Sequence, residues 1–236
     1  MTQFRTGMAL AAGLGTRMRP LTDTRPKALV EVGGKALLDH VLDRFAAAGV
    51  ERAIVNIHHF ADQMRAHLDA RTGVPHIHIS DENEQVLETG GGLVKARPLL
   101  GEQPFLLSNI DAIWEEGPVP EVERLKGAWD SRTMDALLLL ARRDATLGYH
   151  GAGDFFLDTD GRVRRRGDAA EAPFVYAGTQ ILNPAVIDGY PQEPFSLNRI
   201  WDALLAKGRV HGLVMEAFWM HVGDPQAREA AEQRLT

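Results

Sequence analysis

The chain has 236 residues, of which 44% are apolar, carries a formal net charge of −6 and contains no cysteine. That length and apolar share suffice for one large α/β domain or two small ones and exclude disorder as the main state. The acidic balance argues against a nucleic-acid partner, which normally leaves a basic footprint. The missing cysteines exclude disulfides, thiolate catalysis and zinc-thiolate sites. No stretch approaches the roughly 20 apolar residues of a membrane span. The N-terminal "MTQFRTGMALAAG" lacks a signal-peptide layout, so a soluble cytoplasmic protein with no membrane partner is expected.

In chain order, "GMALAAG" reads as a short buried strand ended by glycine, and "KALLDHVLDRFAAAG" sets Leu37, Leu38, Val41, Leu42 and Phe45 at helical spacing. "RAIVNIHH", "ADQMRAHLDARTG" and "HIHIS" follow as strand, helix and strand, a β-α-β-α-β order that predicts a parallel sheet covered on both faces. "GGGLVKARPLL" is a helix opening on glycines and "PFLLSNID" a strand ending in polar residues. Open α/β sheets bind ligands beyond the carboxyl ends of their strands, so the loops at Gly13, Ser80 and Asn109 should converge on one crevice.

After about residue 115 the texture changes. "VPEVERLKGAW" reads as a helix, "TMDALLLLARR" as a long buried strand and "GDFFLDTDGRVRRR" as a hairpin turning at Thr159-Asp160-Gly161. A strand "FVYAGTQIL", two helices around "PAVIDGY" and "LNRIWDALLAKG", and a strand "RVHGLVMEA" complete the reading. The expected fold class is α/β: a Rossmann-like doubly wound, mostly parallel sheet flanked by helices. No linker or repeat interrupts it, so one domain over 1–236 is expected, with a nucleotide-binding half at 1–115 and a smaller, lid-like half at 116–236.

The stretch "LAAGLGTRMRPLTDTRPKAL" (10–29) packs glycines and cations into one loop behind the first strand. A dinucleotide fingerprint would need glycine where Met18 stands, and a phosphate loop of triphosphatases would need Gly-Lys-Ser/Thr, so neither common motif applies. Gly13 and Gly15 let backbone N–H groups approach an anion, Arg17 adds a planar donor fork, and Pro26 stiffens the chain beside Lys27. Arg19 and Arg25 read equally well as solvated surface cations.

As a whole, "LAAGLGTRMRPLTDTRPKALVEVGGKALLDHVL" resembles the sugar nucleotidyltransferases, whose signature is Gly-x-Gly-x-Arg, then Pro-Leu-Thr, then Pro-Lys. "LETGGG" (87–92) is similar to the family loop that reads the nucleobase, its glycines permitting close approach of backbone to base. "SNID" (108–111) is similar to the strand end that carries a metal-binding aspartate, and "FWMHVGD" (218–224) to the segment that supplies a second one.

The resemblance implies a fold of the nucleotide-diphospho-sugar transferase type. It also implies transfer of a nucleoside monophosphate from a nucleoside triphosphate to a sugar 1-phosphate, with Mg²⁺ and release of pyrophosphate. "LETGGG", "YHGAGDF" and "FSLNRIWDALLAKGRV" resemble the uridylyltransferases of cell-wall sugar recycling, implying UTP and N-acetylmuramate 1-phosphate as substrates; mannose-1-phosphate guanylyltransferases share much of the pattern, and a non-catalytic regulator that senses nucleotide sugars is the other alternative. The partners expected are these small molecules, with the chain a monomer or a homodimer.

Carried over residue by residue, the resemblance makes Arg17, Lys27 and Asp111 catalytic. Leu10, Ala11, Ala12, Gly13, Gly15, Thr16, Thr89, Gly90 and Asn109 would complete the nucleotide site. Gly148, Asp154, Gly178 and Asn198 would lie at the sugar, although Asp154 reads equally as a hairpin residue. Asp111 would hold Mg²⁺; its alternative is a strand-end turn or helix cap. Where the second metal aspartate is expected the chain has His221, a poor Mg²⁺ ligand. His221 would bind a softer metal such as Mn²⁺ or Co²⁺, or hold a phosphate, or Asp224 would substitute, or the site would be impaired. Glu88 and Thr89 read as a helix cap or as a specificity element. His58, His59, His76 and His78 read as structural or solvated, and "RVRRR" (162–166) as a solvated ribbon.

Overall fold

The computed structural model describes residues 3–235. The first half alternates strands and helices as its periodicity predicts: β1 (Thr6–Leu10), a two-residue ribbon β2 (Glu31–Val32) and β3 (Lys35–Ala36), α1 (Leu37–Ala47), β4 (Arg52–Ile57), α2 (Ala61–Asp69), β5 (His76–Asp81), α3 (Glu88–Leu100) and β6 (Phe105–Asn109). The remainder comprises β7 (Ala112–Glu115), α4 (Glu121–Ala128), β8 (Ala136–Arg142), β9 (Thr146–Leu147), β10 (Phe155–Leu157), β11 (Val163–Arg165), β12 (Phe174–Leu182), α5 (Asn198–Leu205), β13 (Val210–Val214), β14 (Phe218–His221) and α6 (Pro225–Leu235).

The main sheet runs β5-β4-β1-β6-β12-β8-β13, with the β10–β11 hairpin attached along β12. β5, β4, β1 and β6 are parallel to one another, β12 is antiparallel to both β6 and β8, and β13 is parallel to β8. This is the expected α/β class, a mixed and mostly parallel sheet flanked by helices.

The central strands β1, β4, β6 and β8 are buried on both faces, so they read as largely apolar runs. Along β8, Leu137, Leu139 and Ala141 face the core shared with α1, α2 and α4, while Ala136, Leu138 and Leu140 face the core shared with α3 and α5. The α1 stripe Leu37, Leu38, Val41, Leu42 and Phe45 is at most 1% exposed, as its spacing requires.

Three features differ from the sequence reading. "PAVIDGY" is a single 3₁₀ turn, Pro184–Ile187, rather than a helix. The chain also forms a small second sheet, β7-β14-β9, and α6 follows it where the pattern predicted no further element. α6 escaped notice because only Ala227 and Ala231 of it are buried, which leaves no apolar stripe to detect. Among the described residues no helix is long and apolar enough to cross a membrane.

Candidate active site

β1, β4, β5 and β6 all end at one cavity of about 490 Å³, as the strand-end rule predicts. The loop after β1 is anchored from below. Met18, the residue that breaks the dinucleotide fingerprint, is fully buried, as is Ala28. The Thr22 hydroxyl donates to Gly15 O at 2.8 Å. Gly15 has φ 64°, and a Cβ there would lie 2.9 Å from Lys27 Cβ, so glycine lets the two limbs of the loop close on each other. With these groups turned down, Gly13, Thr16 and Arg17 are left exposed at the rim.

The cavity is lined by Leu10, Ala12, Gly13, Gly15, Thr16, Arg17, Lys27, Thr89, Asn109 and Asp111 of the predicted residues. Ala11 and Gly90 lie just beneath the wall: the Ala11 N–H donates to Asn56 Oδ1, and Gly90 packs under Phe195. Arg19 pairs with Asp23 at 3.4 Å on the surface, and Arg25 faces a separate shallow cleft. Both stand outside the cavity.

The charged centre is compact. Lys27 Nζ lies 2.8 Å and His221 Nε2 3.5 Å from Asp111 Oδ2, while the Asp111 carbonyl accepts from Val222 N–H at 2.9 Å. Burial alone would push the Asp111 carboxyl up; the Lys27 ammonium and the His221 hydrogen bond outweigh it and hold the group well below the usual carboxylate range.

His221 is clamped. Its ring stacks on Trp219 with centroids 5.8 Å apart, and Nδ1 sits 3.3 Å from Gly148 O. Both ring nitrogens therefore face oxygen atoms of the protein, Nδ1 the Gly148 carbonyl and Nε2 the Asp111 carboxylate. Asp224 Oδ1 accepts from Ala227 N–H and caps α6. Among the described residues no three His, Cys, Asp or Glu side chains cluster as a ready metal seat. One carboxylate beside a phosphate-sized space is nevertheless the donor set that suits Mg²⁺, which takes one or two carboxylates and completes its shell with substrate phosphates and water. Asp111 fits that role, and His221 lies against it.

The glycines of "LETGGG" are pressed against other parts of the protein. A Cβ at Gly90 would lie 2.3 Å from the Phe195 ring, one at Gly91 2.1 Å from Glu193 O, and one at Gly92 2.8 Å from Glu82 Oε1. The Phe195 carbonyl takes the N–H groups of Gly90 and Gly91 at 2.8 and 3.3 Å, capping α3 from the second half of the chain. Thr89 caps nothing in its own helix; its hydroxyl accepts from Leu197 N–H at 2.8 Å.

On the sugar side, Gly148, Asp154, Gly178 and Asn198 lie outside the cavity lining. Gly148 packs against His221 O, and Gly178 against Ala112 Cβ with φ 85°. Asp154 Oδ2 accepts from Tyr176 N–H, holding the hairpin to β12, and Asn198 Oδ1 accepts from Arg165. Ser196 and Gly223 instead bring the second half to the cavity. Asn56 and Glu82 line it as well and went unread; the available signal was their place at the carboxyl ends of "RAIVN" and "HIHISDE".

Residues 6–143 match the family model described as Nucleotidyl transferase. The chain is 54% identical over 97% of its length to the N-acetylmuramate alpha-1-phosphate uridylyltransferase of Caulobacter vibrioides, covering 96% of that protein. It is 33% identical over 92% of its length to the enzyme of the same name from Neisseria meningitidis serogroup B, again covering 92%. In architecture it is similar to the crystal structure of HddC from Yersinia pseudotuberculosis, with TM-score 0.76, 23% identity and full coverage of both chains. Sequence and architecture agree: the chain belongs to the nucleotidyl transferase family.

Proposed function

We propose that the chain transfers UMP from UTP to N-acetylmuramate 1-phosphate in the cytoplasm, releasing pyrophosphate, as a step of cell-wall sugar recycling. The observation that carries the reaction is the opening of Arg17, Lys27 and Asp111 onto one cavity. The choice of base and sugar is supported by the relative that is 54% identical along almost the whole chain.

An oxygen of the sugar phosphate attacks the α-phosphorus in line; the bond from that phosphorus to the β-phosphate oxygen breaks, and the electron pair leaves with pyrophosphate. No protein nucleophile is needed, so the residues align the reactants and neutralise crowded charge. Arg17, free of ion pairs among the described residues, steadies the β- and γ-phosphates. Lys27 lies between the α-phosphate and the sugar phosphate and lowers their repulsion. Asp111 orients the Lys27 ammonium and is the residue that would hold Mg²⁺, which supplies charge neutralisation at the phosphates when bound. Residues 1–115 take the nucleotide and residues 116–236 the sugar.

The test is pyrophosphate release by purified protein with Mg²⁺, each nucleoside triphosphate and a panel of sugar 1-phosphates. Release with UTP and N-acetylmuramate 1-phosphate is expected. Release only with GTP and mannose 1-phosphate would overturn the substrate, and release with no pair would overturn the reaction.

A further inference from the structure

Asn56 and Glu82 are 3% and 1% exposed, line the cavity, and take no part in the scheme above. Their side-chain polar atoms form a single unbranched chain. Ala11 N–H donates to Asn56 Oδ1 at 2.6 Å, Asn56 Nδ2 donates to Glu82 Oε1 at 2.8 Å, and Leu87 N–H donates to Glu82 Oε2 at 3.0 Å.

Both ends of this chain are backbone N–H groups, whose direction is fixed. Asn56 must turn its one oxygen to Ala11 and therefore its NH₂ to residue 82. Only a side chain that accepts on both sides then closes the chain onto Leu87, and that is a carboxylate. A glutamine would set a donor against a donor whichever way it turned. Gly92 belongs to the same device: a Cβ there would sit 2.8 Å from Glu82 Oε1 and 3.1 Å from Asn56 Nδ2.

The two backbone amides stand at the roots of opposite walls. Ala11 begins the loop that carries Gly13 to Arg17, and Leu87 precedes Glu88 and Thr89, with Glu88 held at φ 57° beside the cavity. Backbone strain of that kind persists only where the surroundings over-determine it, and the Leu87 amide is tied one residue away. We propose that Asn56 and Glu82 are a positioning pair whose hydrogen-bond parity sets the separation of the phosphate loop and the Leu87–Thr89 wall, and so the affinity for the nucleoside triphosphate. This rests on the reading of the cavity as the nucleotide site.

The test is a swap. Glu82→Gln opposes two donors and Asn56→Asp opposes two carboxylates. The double variant Asn56→Asp/Glu82→Gln restores the sequence of donors and acceptors at the same net charge: the introduced aspartate accepts from Ala11 and from the introduced amide, whose oxygen takes the Leu87 N–H.

Each single variant should raise the KM for UTP about tenfold or more, with a smaller change in kcat because Lys27 and Asp111 are untouched. The double variant should return KM to within about threefold of wild type, a coupling that independent sites do not show. Amide hydrogen exchange at Ala11 and Leu87 in the ligand-free protein should accelerate in each single variant and recover in the double.

Wild-type KM and exchange in the single variants, or a double variant no better than the worse single one, would overturn the pair. Should the single variants fail to fold, the double must fold and bind UTP with near wild-type KM; its failure too would overturn the proposal. If the wild-type protein turns over no UTP with any sugar 1-phosphate, the functional reading fails, while the exchange rates still decide the pair.

Discussion

Lys27 Nζ meets Asp111 Oδ2 at 2.8 Å across 84 residues of sequence, with the two side chains only 11% and 21% exposed. A pair this sheltered is screened less than a surface bridge and holds the ammonium at the wall of the cavity. Lys27→Ala should lower kcat on the order of 10²-fold or more, the usual loss for a charged group used in the transition state. Near-normal turnover would mean the phosphates lie elsewhere.

The same pair predicts a pH dependence. Asp111 titrates lower in the folded chain than its ordinary value. The pair therefore contributes stability that is fully present above the unfolded carboxylate value of about 4 and is lost as pH falls towards the folded one. Lys27→Met removes the largest of the influences that lower the group and leaves burial opposed chiefly by His221. The acidic limb of the kcat/KM profile should then move to higher pH. A limb that stays in place would show that Lys27 does not govern the Asp111 charge.

Arg17 and Arg25 separate two kinds of cation in one loop. Arg17 opens onto the main cavity and Arg25 onto a shallow cleft with Gln63 and His67. Arg17→Ala should cost on the order of 10²-fold in kcat by loss of a charge-assisted donor to the leaving pyrophosphate. Arg25→Ala should leave kcat and KM within about twofold, as surface substitutions usually do. Steady-state kinetics of the two variants checks both statements.

The loop was legible because its chemistry is local: the glycines, cations and prolines that shape it are neighbours in sequence. The sheet was legible for a related reason, since strands buried on both faces and an amphipathic α1 leave periodic signatures. The glycines of "LETGGG" show what local reading misses. Their residue type says that something approaches closely, and only the fold says that it is Phe195, Glu193 and Glu82. Asn56 and Glu82 were missed likewise, because their value lies in bonds from Ala11 to Asn56 and from Asn56 to Glu82 that join segments 45 and 26 residues apart.

Those glycines yield a contrast between folding and binding. Gly91→Ala drives a Cβ to 2.1 Å from a backbone carbonyl that cannot swing away, whereas Gly13 has nothing within 4 Å and no positive φ. Gly91→Ala should destabilise by about 1–3 kcal/mol through overpacking, visible as a fall in Tm of about 2–4 °C per kcal/mol at this size. Gly13→Ala should melt as wild type and raise the KM for nucleotide, since its methyl group enters the space at the cavity rim. Equal melting temperatures for the two variants would contradict the packing of the second half on α3.

His221 gives the last contrast, between a ligand of the metal and a partner of the carboxylate. Its ring is pinned by Trp219 and Gly148 O, and Gly223 makes room for it, since a Cβ there would lie 2.6 Å from Cε1. His221→Gln removes the imidazole and keeps an amide donor with the reach of Nε2, the atom that faces Asp111. If the ring only supports the carboxylate, the ratio of turnover with Mg²⁺ to turnover with Mn²⁺ should stay as in wild type. A ratio that moves towards Mg²⁺ would put the imidazole in the metal shell. His221→Asp instead sets a second carboxylate against Asp111, so without metal the two repel and Tm should fall. Added Mg²⁺ should then raise Tm more than it does in wild type, because two carboxylates hold this hard cation better than one. Absence of that extra stabilisation would show that position 221 does not face the cation even when it carries a ligand suited to it.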